Sequence, residues 1–247
     1  MKYHIYKHIS KQIILFLVVT SLFLLSCAEL KALLPKMGGK SGGLTTEEVI
    51  RGLKEALNVG ASNSVSVASK IDGFYRNPSI FIPFPPEAIK VKNALEKAGF
   101  SNLIQDFERS LNRAAEEASK KALPIFKNAI FSITFSDAMG ILRGADNAAT
   151  MYLKSKTEAN LRSEFTPVVK AAINKVEVTR YWNPIASTYN KVAALTGGPI
   201  GNPNLEEYIT QKGLDGLFFL IASEEKKIRD DPAARVTEIL RKVFGAK

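Results

Sequence analysis

One thiol, Cys27, and two histidines, His4 and His8, are the only side chains in this chain suited to near-neutral proton transfer or soft metal ligation. Cys27 ends the run Leu24-Leu25-Ser26-Cys27. Before it come a basic start with Lys2, Lys7 and Lys11 and an apolar stretch from Ile13 to Leu25 broken only by Thr20 and Ser21. That order is the signature of a bacterial lipoprotein signal, cleaved ahead of a cysteine whose thiol becomes an acyl-glyceryl thioether. At about 1.5 Å per residue the apolar stretch spans roughly 20 Å, short of the roughly 30 Å of a hydrocarbon core, so a retained membrane helix is the poorer reading. A free cysteine in an oxidising compartment would be a liability, and lipidation accounts better for its being single.

Cleavage after residue 26 removes both histidines and leaves 221 residues with no imidazole. Serine–histidine and cysteine–histidine hydrolases, zinc sites and helical di-iron sites built on Glu-x-x-His are thereby excluded. A Ser–Lys pair stays open, as does a hydrolase using only Asp and Glu carboxylates, because any two acids about 5 to 9 Å apart would serve. No metal and no cofactor is expected. Formal charge falls from +10 to +7, since the removed segment holds three lysines and no acid. An exported basic surface meets anionic lipid and envelope polymers rather than nucleic acid, and no arginine-rich arm or interleaved aromatic stripe is present.

The carboxylate that draws most notice is Glu225, four residues after Ile221 and three before Ile228, on or beside an apolar helical stripe. A buried carboxylate needs a partner, and Arg109, Arg113 and Arg143 are the candidates. Asn112 with Arg113, Thr150 with Tyr152, and Asp215 near Tyr208 also lie close to apolar stripes. They would either line a cleft for a polar ligand or fix helix register through buried hydrogen bonds, and the second use is the commoner one. Asp146, after Arg143 and Gly144, reads as a helix N-cap with Gly144 as the preceding C-cap, and Asp137 reads as a cap likewise.

These groups must be held by helices. The segment Pro35 to Gly43 is a flexible spacer, and Thr45 with Glu48 has capping-box spacing ahead of Val49, Leu53, Ala56 and Leu57. Gly60 reads as that helix's end, with a shorter one over Ser62 to Lys70. Asp72 to Pro86 cannot be helical, because Pro83, Pro85 and Pro86 push Ile82 and Phe84 toward extended geometry. It is an apolar strap or short edge strand, a connector packed on the core or, with Phe81, Ile82 and Phe84, a lid over a groove. Helices follow from Pro86 to Gly99 and from Ser101, where Phe107, Leu111, Ala114 and Ala118 share a face while Glu116 and Glu117 pair with Lys120 and Lys121 on the other. Pro124, Asp137, Ala149 and Pro167 mark further helices, Trp182-Asn-Pro184 and Thr196 to Asn204 mark loops, and a last amphipathic helix starts at Asp231-Pro232. The prediction is an all-α chain: signal peptide 1–26, lipidated cysteine and tether 27–44, and a single multi-helix domain 45–247 with one extended Pro-rich strap.

Several separated stretches carry a resemblance to a known family. They include Asp72-Gly-Phe, Ile82-Pro-Phe-Pro85, Leu111-Asn-Arg-Ala-Ala-Glu116, Ala148-Ala-Thr-Met-Tyr152, Tyr208 to Phe218 and Ile221 to Arg229. Across roughly residues 44 to 246 the chain resembles the bacterial exported proteins catalogued as domain of unknown function 4197. The resemblance implies an exported helical protein and brings no catalytic role; Gly213 departs from the alanine frequent there.

The expected function is a lipid-anchored, periplasm-facing binding or scaffold domain of the cell envelope. Its partners would be the membrane through the anchor and an envelope protein, anionic lipid or apolar ligand. Ala28 after the lipidated position, in place of an acid, leans toward the outer membrane. A carrier of a lipid or other apolar ligand is the alternative, and a carboxylate hydrolase a further one.

Overall fold

The capping box expected at Thr45 is formed. The Thr45 N–H donates to the Glu48 carboxylate at 3.0 Å and the Glu48 N–H donates to Thr45 Oγ1 at 3.2 Å, opening α1 (Thr46–Ser69). A computed structural model describes residues 45–175, 181–187 and 204–245, all within one unit, Leu44–Lys247. The expected signal segment, the tether and most of the Thr196 to Asn204 loop lie outside the described residues.

Helix α1 does not stop at Gly60. That residue is buried, and a Cβ there would meet only Glu224 Cβ, at 3.5 Å, so the glycine marks where the helix carrying Glu224 lies close rather than where this helix ends. Its helix penalty of about 1 kcal/mol is outweighed by the continuous buried face Leu53, Ala56, Leu57, Ala61, Val65 and Ala68.

The strap turns sharply at Asp72, whose φ is 66°, and at Gly73, where a Cβ would sit 2.1 Å from the Val67 carbonyl oxygen. Phe74, Ile80, Ile82 and Phe84 are buried, Phe81 is half-buried, and no strand forms among the described residues. After a 3-10 turn at Pro86–Ala88 come α2 (Ile89–Lys97), ended by Gly99 at φ 84°, and α3 (Ser101–Ser119). Phe107, Leu111, Ala114, Ala115 and Ala118 of α3 are fully buried. Glu116, expected on the solvent face paired with Lys120, is instead buried, and Lys120 pairs with Glu117.

Helix α4 (Ala122–Phe131) contains Pro124 in its first turn, where a missing N–H costs nothing. In α5 (Phe135–Arg143) the N-cap is Thr134, and Asp137 is the third residue of a capping box rather than the cap; Gly144 is the C-cap. Helix α6 (Ala148–Lys175) opens two residues after Asp146, so Asn147, not Asp146, directly precedes it. It runs through Pro167, expected to start a new helix. The buried series Leu153, Thr157, Leu161, Phe165, Val169 and Ile173 keeps its four-residue phase across the proline. Residues 181–187 form α7 where a loop was expected, because Trp182 is buried with its ring 5.3 Å from that of Phe107 and 6.1 Å from that of Phe84. Helix α8 (Leu205–Asp230) is capped by Asn204, and α9 (Glu238–Phe244) by Thr237, after a 3-10 turn at Pro232–Ala234. That last helix thus starts six residues later than expected, leaving Val236 exposed.

The fold is all-α. Helices α3, α6 and α8 pack on one another, α1 crosses α3, α4 and α8, and α9 closes over α1. The aromatic cluster Phe84, Phe107 and Trp182 fills one end, and Phe126 meets Phe218 edge-on nearer the other helices.

Candidate functional site

Among the described residues three carboxylates are buried, and each holds backbone. On α3, Glu108, Asn112 and Glu116 recur every four residues and therefore lie in one row. Glu108 accepts from the Phe84 N–H at 3.2 Å and from Lys92 Nζ at 2.9 Å. The Asn112 amide accepts from the Ile82 N–H and donates to the Ile82 carbonyl, both at 2.8 Å. Glu116 accepts from the N–H groups of Phe74 and Tyr75 at 3.1 and 3.2 Å. The row meets the strap in reverse order, so α3 serves as the partner strand that the strap lacks. Arg113 completes it, donating to Glu116 and to Asp72, each at 2.6 Å. Its burial would lower the guanidinium pKa, but the hydrogen bonds to Glu116 and Asp72 outweigh this and raise it.

Glu225 is the third. Its carboxylate accepts from the N–H groups of Ala149 and Thr150 at 3.0 and 2.8 Å and from Thr150 Oγ1 at 2.7 Å. These are free donors of the first turn of α6, where a negative charge is favoured by the helix dipole. The charge partner is Arg229, one turn further along α8, at 2.8 Å; it is none of the three arginines that spacing suggested. Arg229 also donates to the Ile141 carbonyl at 3.1 Å, tying down the end of α5. The adjoining apolar cavity, lined by Leu53, Leu57, Ile221 and Phe244, has a volume of only about 20 Å³.

The other sequence candidates are dispersed. Arg109 pairs with Asp106 at 2.8 Å and lies over the Tyr75 ring. Arg143 and Asp146 are exposed in the α5–α6 link. Asp215 is exposed on α8, accepting from Gln211 at 2.8 Å, while Tyr208 donates to the Pro83 carbonyl at 3.1 Å. Phe81, Ile82 and Phe84 belong to the docked strap. Thr150 and Glu225 are brought together, as are Asn112 and Arg113, but the two pairs serve separate buried centres.

Chemistry open to solvent gathers beside α4. A groove of about 460 Å³ between α4, α5 and α6 is lined by Asp137, Tyr152, Lys156, Asn128 and Asn160. Tyr152 donates to Asp137 at 3.5 Å, and hydrogen bonds from Thr134 hold the Asp137 carboxyl below its usual range. Burial foremost, then the Asp137 charge, raises the Tyr152 pKa, so this phenol is no base near neutrality. On the other side of α4 a wider groove of about 720 Å³ is lined by Lys54, Glu55, Asn58, Asn63, Lys127 and Phe131. Among the described residues no three His, Cys, Asp or Glu side chains converge as metal ligands.

A family model described as "Protein of unknown function (DUF4197)" matches residues 43–245. No curated protein and no solved structure matches the chain.

Proposed function

The chain belongs to the DUF4197 family, and on that footing we propose that it is a lipid-anchored, periplasm-facing helical binding or scaffold protein of the cell envelope, held at the outer membrane. The reading rests on the lipoprotein box at Leu24 to Cys27. The geometry of the domain supports it in one respect: the buried acids Glu108, Glu116 and Glu225 are all engaged in holding backbone and cations, so they are structural, and the open surface is left to recognition. The carrier reading is less well supported. The strap is hydrogen-bonded down along α3, and the enclosed apolar space beside Glu225 would admit about one water molecule.

The decisive experiment is intact-mass analysis of the protein purified from its own host, paired with membrane fractionation of a Cys27→Ala variant. The expected result is a chain starting at an acylated Cys27, with Cys27→Ala released from the membrane fraction or retained as an uncleaved precursor. An unmodified chain starting at Met1 in the wild type overturns the proposal.

A further inference from the structure

We propose that the corner between α4 and α5 is a docking tip that seats the tethered domain on an anionic phospholipid surface. This rests on the anchored reading above and adds a second membrane contact, made by the folded part itself.

Two exposed rings meet at this corner. Phe131, the last residue of α4, is 84% exposed, and Phe135, the first of α5, is 49% exposed. The two helices are bent by 106° at this break, so the two exposed rings flank a sharp corner. No single described helix is long and apolar enough to cross a membrane, yet α4 and α5 together have the length and composition of a bent span. Phe126, Ile130 and Ile141 are buried in the core, so only the two rings at the corner are open to meet acyl chains.

Two lysines share a groove with the Phe131 ring. Lys54 donates to the Phe131 carbonyl at 2.7 Å and its Nζ lies 5.6 Å from the ring centroid. Lys127, one turn before Phe131, is exposed on the wall of the same polar groove. The nearby acids are Glu55, in that groove, and Asp137, whose carboxylate is held by Thr134. An aromatic tip with basic stems at its base is the arrangement that enters between headgroups: rings reach the acyl boundary while the amines stay level with phosphate. A protein partner would have to offer a pocket for a protruding corner; a bilayer surface accepts it without one.

Weak affinity suffices. With the anchor of the proposed function in place, a second membrane contact is intramolecular and meets a raised effective concentration. Lys54 is the ninth residue of α1, roughly 14 Å along it from the first described residue, Thr45.

The test uses the full acylated chain on vesicles of brominated phosphatidylcholine with phosphatidylglycerol, comparing Phe131→Trp with the wild type and with Ile71→Trp. The native Trp182 is buried and gives the background; Ile71 is exposed but roughly 25 Å from Lys54 along the direction of α1. Loss of emission from the indole introduced at position 131 on these vesicles, with smaller loss on brominated phosphatidylcholine alone and none at position 71 or in the wild type, is the expected result. Further substitution by Phe135→Ser, or by Lys54→Gln with Lys127→Gln, is expected to restore the emission. An unquenched indole at position 131, on a chain that still floats with the vesicles, overturns docking and leaves the anchor standing. Equal quenching at 131 and 71 overturns it as well. A wild-type chain that fails to float removes the anchor, and this proposal with it.

Discussion

Glu225 does for α6 what an N-cap residue does for most helices, but from 75 residues away in sequence. Replacing it with Gln keeps the shape and turns one acceptor oxygen into an NH2 group facing N–H donors or Arg229. Urea denaturation of Glu225→Gln is expected to show a loss of about 3 kcal/mol; an unchanged midpoint would mean that the charge is dispensable. Tyr208 sets a second residue-scale expectation. Burial first, then the charges of Glu87 and Glu108, pushes its phenol from 10.0 up to about 12. The unfolded chain therefore loses this proton first, so the stability is whole below pH 10 and falls as pH rises from 10 toward 12. In Tyr208→Phe, denaturation midpoints followed across that window are expected to fall less steeply than in the wild type. Stripe position alone marked Glu225 as a carboxylate in need of a cation. Which cation was not legible, because Arg109, Arg113 and Arg143 compete on spacing, and the N–H donors of α6 leave no trace in side-chain pattern. Glu108 and Glu116 carried a readable signal that was missed: with Asn112 they fall at four-residue intervals beside Phe107 and Leu111.

At the scale of elements, two glycines of α8 give opposite expectations. A Cβ at Gly213 would meet Ala115 Cβ at 3.6 Å and Phe165 at 3.9 Å, ordinary contacts, so Gly213→Ala is expected to stabilise by about 1 kcal/mol. A Cβ at Gly216 would lie 2.8 Å from the Phe74 ring and 3.0 Å from Ile80 Cβ, so Gly216→Ala must lift the strap and is expected to cost about 2 kcal/mol. Thermal melts of the pair, moving in opposite directions, check both. The same contest between local preference and packing explains which helix boundaries were legible. Capping at Thr45 with Glu48, and the glycine stops at 99 and 144, are local and were read correctly. Gly60, Pro167 and Asn183-Pro184 look like breakers, yet each sits where neighbouring buried residues keep their helical phase against another helix. Partners distant in sequence decided those cases.

Across the whole molecule the last described helix, α9, covers the first, α1. Leu240, Val243 and Phe244 are buried, and α1 approaches so closely that a Cβ on Gly52 would sit 2.5 Å from Val243 Cγ2. Truncation before Glu238 is expected to cost about 5 kcal/mol, from roughly 1.5 to 3 kcal/mol per buried apolar side chain, against a typical total of about 5 to 15. Denaturant titration of the truncated chain, with hydrogen exchange at Leu53 and Leu57, checks this. The all-α class and the span of the domain were legible because periodicity runs through nearly every segment. The closure of α9 on α1 and the cap that Glu225 lends to α6 share one outcome for folding. Each joins residues far apart in the chain, Gly52 to Val243 and Thr150 to Glu225, so a long loop must close before either contact rewards it, and both are expected to form late in folding.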